Sequence, residues 1–369
     1  MSKKLVVVAG GTGGHIFPGI AVADHLKQQG WQVSWIGTAD RMEAQVVPKH
    51  GIDIDFINVK GVRGNGLARL VKAPFMVINA ILQARKVLKK QRPDVVLAMG
   101  GYVTGPTGMA AKSLGIPLVI HEQNAVAGMS NKYLAKVANK VLAAFPQAFA
   151  AGRSDVVGNP VRASVASVTT RVATSPVNIL VVGGSLGAQI LNQTLPAAFK
   201  QLNDDFQLNV WHQTGKGQLG SVTLAYQQQG FSVEQAKVAE FIDDMDTAYG
   251  WADIVVCRAG ALTVSEIAAA GKMAVFVPFP HAVDDHQTAN AKFLVDGKAA
   301  LLMPQGQFNE QSIVELLRPY LAKPELISEL ASNAKQLATP EATANVAWHC
   351  MDAAGVAQPA QQVTEKRDY

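Results

Sequence analysis

The chain has 369 residues, a length that suits two domains of ordinary size. Apolar residues make up 49% and charged residues only 17%, enough for two packed cores and too apolar for a disordered chain. The formal charge is +5, and the two cysteines, Cys257 and Cys350, match neither a zinc spacing nor a disulfide framework, which fits a reducing cytosol.

The opening MSKKLVVVAGG has an apolar run too short for a signal peptide, and the run meets glycines at once, so it reads as a first strand. The loop AGGTGGHIFPG, from Ala9 to Gly19, follows it and precedes an apolar helical pattern from Ile20 to Leu26. Glycines between a strand and a helix let backbone N–H groups approach an anion, and the helix start adds positive charge. The loop is not a nicotinamide fingerprint: a GxGxxG begun at Gly11 needs glycine where Ile16 stands, and only Asp40 offers a poor match for the acidic partner. No GxxxxGK[ST] occurs either.

VSWIG (33–37) reads as a second strand, and GIDIDFINV as an alternating strand rather than a metal-binding DxD. Between Phe56 and Pro93 stand nine Lys or Arg and no Asp or Glu. That segment contains LVKAPFMVINAIL, Leu70 to Leu82, flanked by Lys72, Arg85, Lys86, Lys89 and Lys90. An apolar patch among cations suits an anionic membrane surface; the competing reading is a partly buried helix with a solvated basic face. Stacking aromatics for nucleic acid are scarce here, with Phe75 alone, and no nucleic-acid partner is expected.

VVLAM (95–99), PLVIH (117–121) and KVLAAF (140–145) continue the strand rhythm. GGYVTGP, inside the uncharged stretch Asp94 to Lys112, reads as a loop, and no transmembrane segment is expected. HEQNAVAG, His121 to Gly128, places four polar residues directly after a buried strand, a pattern that points to a site. GNPVRASVASVTTRVATSPV has no clear period and reads as the end of one domain and a linker.

After Pro176 the rhythm returns with NILVVGG, FQLNVWHQ, VEQAKVAEFI, ADIVVCRAG and MAVFVPFP. Strands alternating with helical patterns argue for βαβ units and parallel sheets, so the fold class is α/β with two doubly wound domains. The second block opens as the first does. Gly10, Gly11 and Thr12 pair with Gly183, Gly184 and Ser185, Gly14 pairs with Gly187, and His15 pairs with Ala188. Two such domains facing each other would leave a cleft at the carboxyl ends of their strands.

RAGALTVSE, Arg258 to Glu266, follows strand ADIVVC. Thr263 and Glu266 have capping-box spacing, and Glu266 can alternatively accept both hydroxyls of a ribose. PFPHAVDDHQTANA, Pro278 to Ala291, sets Gln287, able to donate and accept, at another helix start. His121 and His281 have no second ligand at metal spacing, DMD at 244–246 is insufficient alone, and no protein-bound metal or other cofactor is expected.

GGTGGH, GGYVTGP, HEQN, GNPVR, GGSLGA, RAGALTVSE and DDHQTANA occur in this order across most of the chain. The combination resembles the MurG family, the bacterial N-acetylglucosaminyltransferases of peptidoglycan assembly. The resemblance implies the GT-B fold: an acceptor- and membrane-binding domain over 1–162, with a helix near 338–356 packing back on it, and a donor domain over 163–337; the tail over 357–369 is polar and reads as frayed. It implies inverting transfer of N-acetylglucosamine from UDP-N-acetylglucosamine to the C4 hydroxyl of the N-acetylmuramoyl unit of lipid I, giving lipid II and UDP. It also implies peripheral attachment at the cytoplasmic face of the plasma membrane.

The family's donor contacts fall on the backbone of Ile242 for the uracil and on Glu266 for the ribose. Ser185 and the helix start Ala261, Leu262, Thr263, Val264 and Ser265 would face the diphosphate and sugar, with Arg162 adding charge. Gln287 and Asn124 would contact the sugar, and Thr12, Gly13 and Gly14 would line the cleft. The stretch around HAVDDHQ varies in this family, which leaves His286 as an alternative to Gln287. A base must take the acceptor proton, and His15 and Glu122 are its two candidates. Alternatives are a UDP-sugar epimerase of the same shape and a non-catalytic UDP-sugar sensor; a nicotinamide oxidoreductase lacks its fingerprint.

Overall fold

The computed structural model describes residues 2–59, 66–169, 171–184 and 187–357, with the backbone alone for 66–73. It divides into two compact units. The first comprises Met1–Gln123, Ala127–Pro160 and the C-terminal stretch from Glu341; the second comprises Asn124–Val126 and Val161–Pro340.

The first unit carries β1 (Lys4–Ala9), β2 (Gln32–Gly37), β3 (Asp53–Phe56), β4 (Val95–Gly100), β5 (Leu118–Glu122), β6 (Lys140–Ala143) and β7 (Asp155–Val156). Among the described residues they form one sheet in the order β3-β2-β1-β4-β5-β6-β7, parallel throughout. A parallel sheet needs crossover helices on both faces, so its central strands are apolar at every position. β1 shows this: Leu5, Val7 and Ala9 enter one core with Ile16, Ile20 and Leu26, while Val6 and Val8 enter another with Ala84, Leu88 and Ala110. Helix Ala342–Ala353 closes the first core through Val346, Ala347 and Cys350, against helix Gly13–Gln28.

The second unit carries β8 (Val177–Val182), β9 (Leu208–Gln213), β10 (Ala236–Ala239), β11 (Ile254–Cys257), β12 (Met273–Phe276) and β13 (Ala300–Leu302). Their order is β10-β9-β8-β11-β12-β13, again parallel. In each sheet the order reverses beside the first strand, between β1 and β4 and between β8 and β11. Open α/β sheets bind ligands outside the carboxyl ends of their strands at such a point.

Three local expectations are corrected, and one strand was not foreseen. GGYVTGP is only partly loop, because helix Thr104–Ser113 begins inside it; Pro106 lies in the first turn, where its missing N–H costs no helical bond. Glu122 does not follow the strand but ends β5, next to His121, and both are buried. The linker holds one helical turn, Ala163–Ala166. β13 follows Gly297 and Lys298 and is too short to show a period in the sequence.

Candidate functional site

In the first unit the glycine loop after β1 is held by its own side chains. Gly11 has φ +100, a conformation glycine accepts readily. Its N–H donates to Glu43 Oε2 at 3.0 Å. Glu43 Oε1 accepts from the Thr38 N–H at 2.9 Å and the Thr38 hydroxyl at 2.7 Å. A fully buried carboxylate thus fills the anion seat that the first glycines offer. A Cβ at Gly10 would stand 2.6 Å from that carboxylate, so residue 10 has no room for a side chain.

Thr12 caps helix Gly13–Gln28 in extended conformation, and Gly13, Gly14 and His15 form its first turn. His15 Nδ1 and Gln123 Oε1 are 2.8 Å apart. Gln123 Nε2 is 3.0 Å from His121 Nδ1, and His121 Nε2 donates to the Gly158 carbonyl at 2.9 Å. Burial pushes the His121 imidazole down to about 4 against opposing pulls from the Gly158 carbonyl and, less, from Glu122, so it is neutral at pH 7. Glu122 Oε2 accepts from the Gly128 N–H and from Asn131 Nδ2, each at 2.9 Å, which ties the start of helix Met129–Leu134 to β5. The two base candidates therefore differ. Glu122 is buried and holds backbone, whereas His15 is partly exposed, and its Nε2 makes no hydrogen bond among the described residues.

In the second unit a cavity of about 680 Å³ opens at the carboxyl ends of β8 and β11. It is lined by Gly183, Gly184, Gly187, Gln193, Arg258, Thr263, Phe279, Gln287 and Gln305, among others. A Cβ at Gly187 would meet the Thr214 carbonyl oxygen at 2.1 Å and one at Gly183 the Ala188 nitrogen at 2.6 Å. Those two glycines are required by packing. Gly184, with φ +86 and open space beside it, leaves the backbone accessible. Ser185 lies outside the described residues.

The two glycine loops do not correspond as the sequence pairing implies. Thr12 caps the first helix, but the second, Gln189–Asn203, is capped by Ala188, and Gly187 has φ +76 where Gly14 is helical. The second loop stays outside its helix for longer. His15 projects from a first helical turn; its sequence partner Ala188 does not.

Helix Ala261–Ala270 starts beside this cavity with Gly260 as its cap. No capping box forms, which corrects that reading: the Glu266 side chain turns to Arg162 Nη2 at 3.1 Å and to the Tyr249 hydroxyl at 3.2 Å. Glu266 is 5% exposed. Burial raises its pKa above the ordinary carboxylate value, and Arg162 and Tyr249 pull it part-way back. Thr263 reaches the cavity. Val264 points into the core, Ala261 is buried, and the Ser265 hydroxyl donates to the Ala261 carbonyl, so these three offer chiefly backbone. Leu262 lies in the same first turn. Ile242 is buried just after β10.

Gln287 lines the cavity with its Oε1 accepting from the Phe279 N–H at 2.9 Å, whereas His286 Nδ1 donates to the Val283 carbonyl. Asn124 Oδ1 accepts from Asn290 Nδ2 at 3.3 Å, and the Ala125 N–H donates to Asn290 Oδ1 at 2.8 Å. Arg258 was visible in its motif but not singled out. It donates to the Val277 and Pro278 carbonyls and to Gln305 Oε1 at 2.7 Å. Among the described residues no carboxylate pairs with it, so its charge remains available to an anion in the cavity.

Residues 5–143 match the glycosyltransferase family 28 N-terminal domain and residues 178–365 its C-terminal domain. The chain belongs to glycosyltransferase family 28. Its two Rossmann-like units are the domain content of the GT-B fold. The chain is 76% identical over 367 residues, the full length of both, to the UDP-N-acetylglucosamine–N-acetylmuramyl-(pentapeptide) pyrophosphoryl-undecaprenol N-acetylglucosamine transferase of Pseudoalteromonas translucida. It is similar to the crystal structure of Acinetobacter baumannii MurG, with TM-score 0.81 and 44% identity over 95% of this chain and 99% of that one. The UDP-N-acetylglucosamine 2-epimerase of Neisseria meningitidis shares the fold at TM-score 0.67 and 14% identity, covering 95% of this chain and 100% of that one. For this family 28 chain, the cavity at Gly184 and Arg258 and the histidine at the first glycine loop are the two places where chemistry can concentrate.

Proposed function

We propose that this chain transfers N-acetylglucosamine from UDP-N-acetylglucosamine to the C4 hydroxyl of the N-acetylmuramoyl unit of lipid I, giving lipid II and UDP. Full-length identity of 76% with a transferase of that name carries the reading. The site geometry supports it chemically. In a single displacement the acceptor oxygen bonds to the anomeric carbon as the bond to the diphosphate breaks, and the configuration inverts. The electron pair leaves with UDP. Fixed donors and positive charge stabilise that leaving group most effectively when they are organised beforehand. The Gly184 backbone, the helix start at Ala261, and Arg258 are suited to this, with Arg162 nearby through Glu266.

Within this reading Ile242 meets the uracil through its backbone and Glu266 the ribose. Thr263, Gln287 and Asn124 serve the sugar. Ser185 and the rest of the Ala261–Ser265 turn serve the diphosphate and sugar. Thr12, Gly13 and Gly14 also contact UDP-N-acetylglucosamine. His15 Nε2 takes the C4 hydroxyl proton. That nitrogen makes no hydrogen bond among the described residues, whereas the Glu122 carboxylate is committed to Gly128 and Asn131.

The acceptor is lipid-linked, so the enzyme must work at a membrane surface. Among the described residues no helix is long and apolar enough to cross one. Helix Gly66–Gln91 exposes Phe75, Ile78 and Leu82 at 75%, 55% and 58%, on one face by spacing, and continues into Arg85, Lys86, Lys89 and Lys90. The side chains of Leu70 and Lys72 lie outside the described residues. This supports peripheral docking at the cytoplasmic leaflet. Incubation with sugar-labelled UDP-N-acetylglucosamine and a lipid I analogue should move label into the lipid; label that stays soluble would defeat the reading.

A further inference from the structure

We propose that Gln123 is a positioning residue that fixes the tautomer of His15, placing the proton on Nδ1 and leaving Nε2 as the free basic nitrogen. The inference rests on the reading of His15 as the base, and it concerns how that base is prepared.

The Gly158 carbonyl can only accept a hydrogen bond. His121 Nε2 is 2.9 Å from it, so that nitrogen carries a hydrogen. His121 is fully buried and neutral, so its Nδ1 carries none and must accept. The group 3.0 Å from Nδ1 is therefore the Gln123 amide nitrogen. A second contact agrees: the same nitrogen donates to the His121 carbonyl at 3.2 Å. With its NH2 directed to His121, Gln123 presents its oxygen to His15 at 2.8 Å. An amide oxygen only accepts, so His15 Nδ1 must donate. Each bond fixes the polarity of the next, and the order runs from one backbone carbonyl to one imidazole.

The consequence is specific. A neutral imidazole in water prefers its proton on Nε2, the wrong nitrogen for a base that attacks with Nε2. The bond the other nitrogen makes decides which form is present. Gln123 reverses the intrinsic preference. It also bears no charge and cannot take the proton itself. When Nε2 accepts the acceptor proton, the positive charge stays on the His15 ring, held at Nδ1 by a neutral oxygen, and the proton can pass on to solvent. Gly100 completes the arrangement, because a side chain there would displace the ring that Gln123 orients.

The test reads the tautomer directly in the full-length protein. Histidine is labelled with 15N, and the His15 signals are assigned by their loss in His15→Ala. The wild type should show a protonated Nδ1 and a bare Nε2 at a pH above the titration. Gln123→Leu should shift His15 toward the Nε2–H form. Its kcat should fall on the order of tenfold to a hundredfold, part of what a positioned base supplies, with KM for the donor nearly unchanged. Gln123→Glu, which still offers an acceptor to Nδ1, should recover part of that loss. A wild-type His15 protonated on Nε2 would overturn the proposal, as would a Gln123→Leu variant with unchanged tautomer and kcat. Full turnover in His15→Ala would instead remove the base reading and leave the tautomer measurement standing on its own.

Discussion

The His15 imidazole lies against the α-carbon of Gly100: a Cβ there would stand 2.7 Å from Nδ1 and 2.8 Å from Cε1. Gly100 ends β4 with φ +119, so an alanine would be strained before it met the ring. Gly100→Ala should therefore push His15 out of reach of Gln123. Turnover should fall by a large part of the roughly 10²–10⁴-fold a positioned base contributes. UDP affinity should hold within about twofold, because the cavity proposed for the donor belongs to the other unit. Steady-state kinetics and calorimetry on one preparation check both halves.

Glu43 is the second support of that loop. Its buried carboxylate accepts from Gly11 N, Thr38 N and the Thr38 hydroxyl, and hydrogen bonds to charged groups contribute roughly 1.5–3 kcal/mol each. Glu43→Ala leaves those donors buried without an acceptor. It should destabilise the protein by roughly 2–4 kcal/mol in denaturant unfolding, and Glu43→Gln by less.

The fold was legible because parallel strands buried on both faces read as uninterrupted branched runs, as LVVV and VVLA do. Elements without such a signal were not. β13 is three residues long, and Thr104–Ser113 starts inside a Gly–Pro segment that loops and first helical turns use alike. In the site, His15 and Gln287 were visible as polar residues in loop motifs. Glu43, Gln193 and Gln305 were not, because they reach their places through tertiary packing and stand in no motif. The capping-box spacing of Thr263 and Glu266 misled for a related reason: spacing reports what a side chain can reach along its own helix, and Arg162, far away in sequence, offered a charged partner.

With Glu266 at the ribose as proposed, the Arg162–Glu266 pair should make donor binding depend on pH. Glu266 ionises at its ordinary value of 4.5 in the unfolded chain and at a higher value in the folded one. Its contribution to stability is complete below the ordinary value and is lost as pH rises through the folded value. A ribose hydroxyl is best received by the ionised form, so UDP affinity should climb over the same window. Arg162 lowers the folded value, and Arg162→Ala should move the midpoint of the affinity curve to higher pH. Coincident midpoints would contradict the role given to the pair.

The proposed membrane docking joins two forces that can be separated. Phe75→Ser with Leu82→Ser should weaken binding to anionic vesicles at every salt concentration, because apolar burial is lost. Lys86→Ala with Lys89→Ala should remove about 1 kcal/mol per residue at low salt and little at high salt. Vesicle sedimentation at two ionic strengths distinguishes the patterns. Equal binding to neutral and anionic vesicles would argue against the basic flank.

The rate of UDP release from UDP-N-acetylglucosamine, with and without a lipid I analogue, decides whether cleavage of the donor depends on the acceptor. Release should require the acceptor and match the lipid product mole for mole. Release without acceptor, or conversion of the sugar nucleotide to an epimer, would contradict the account.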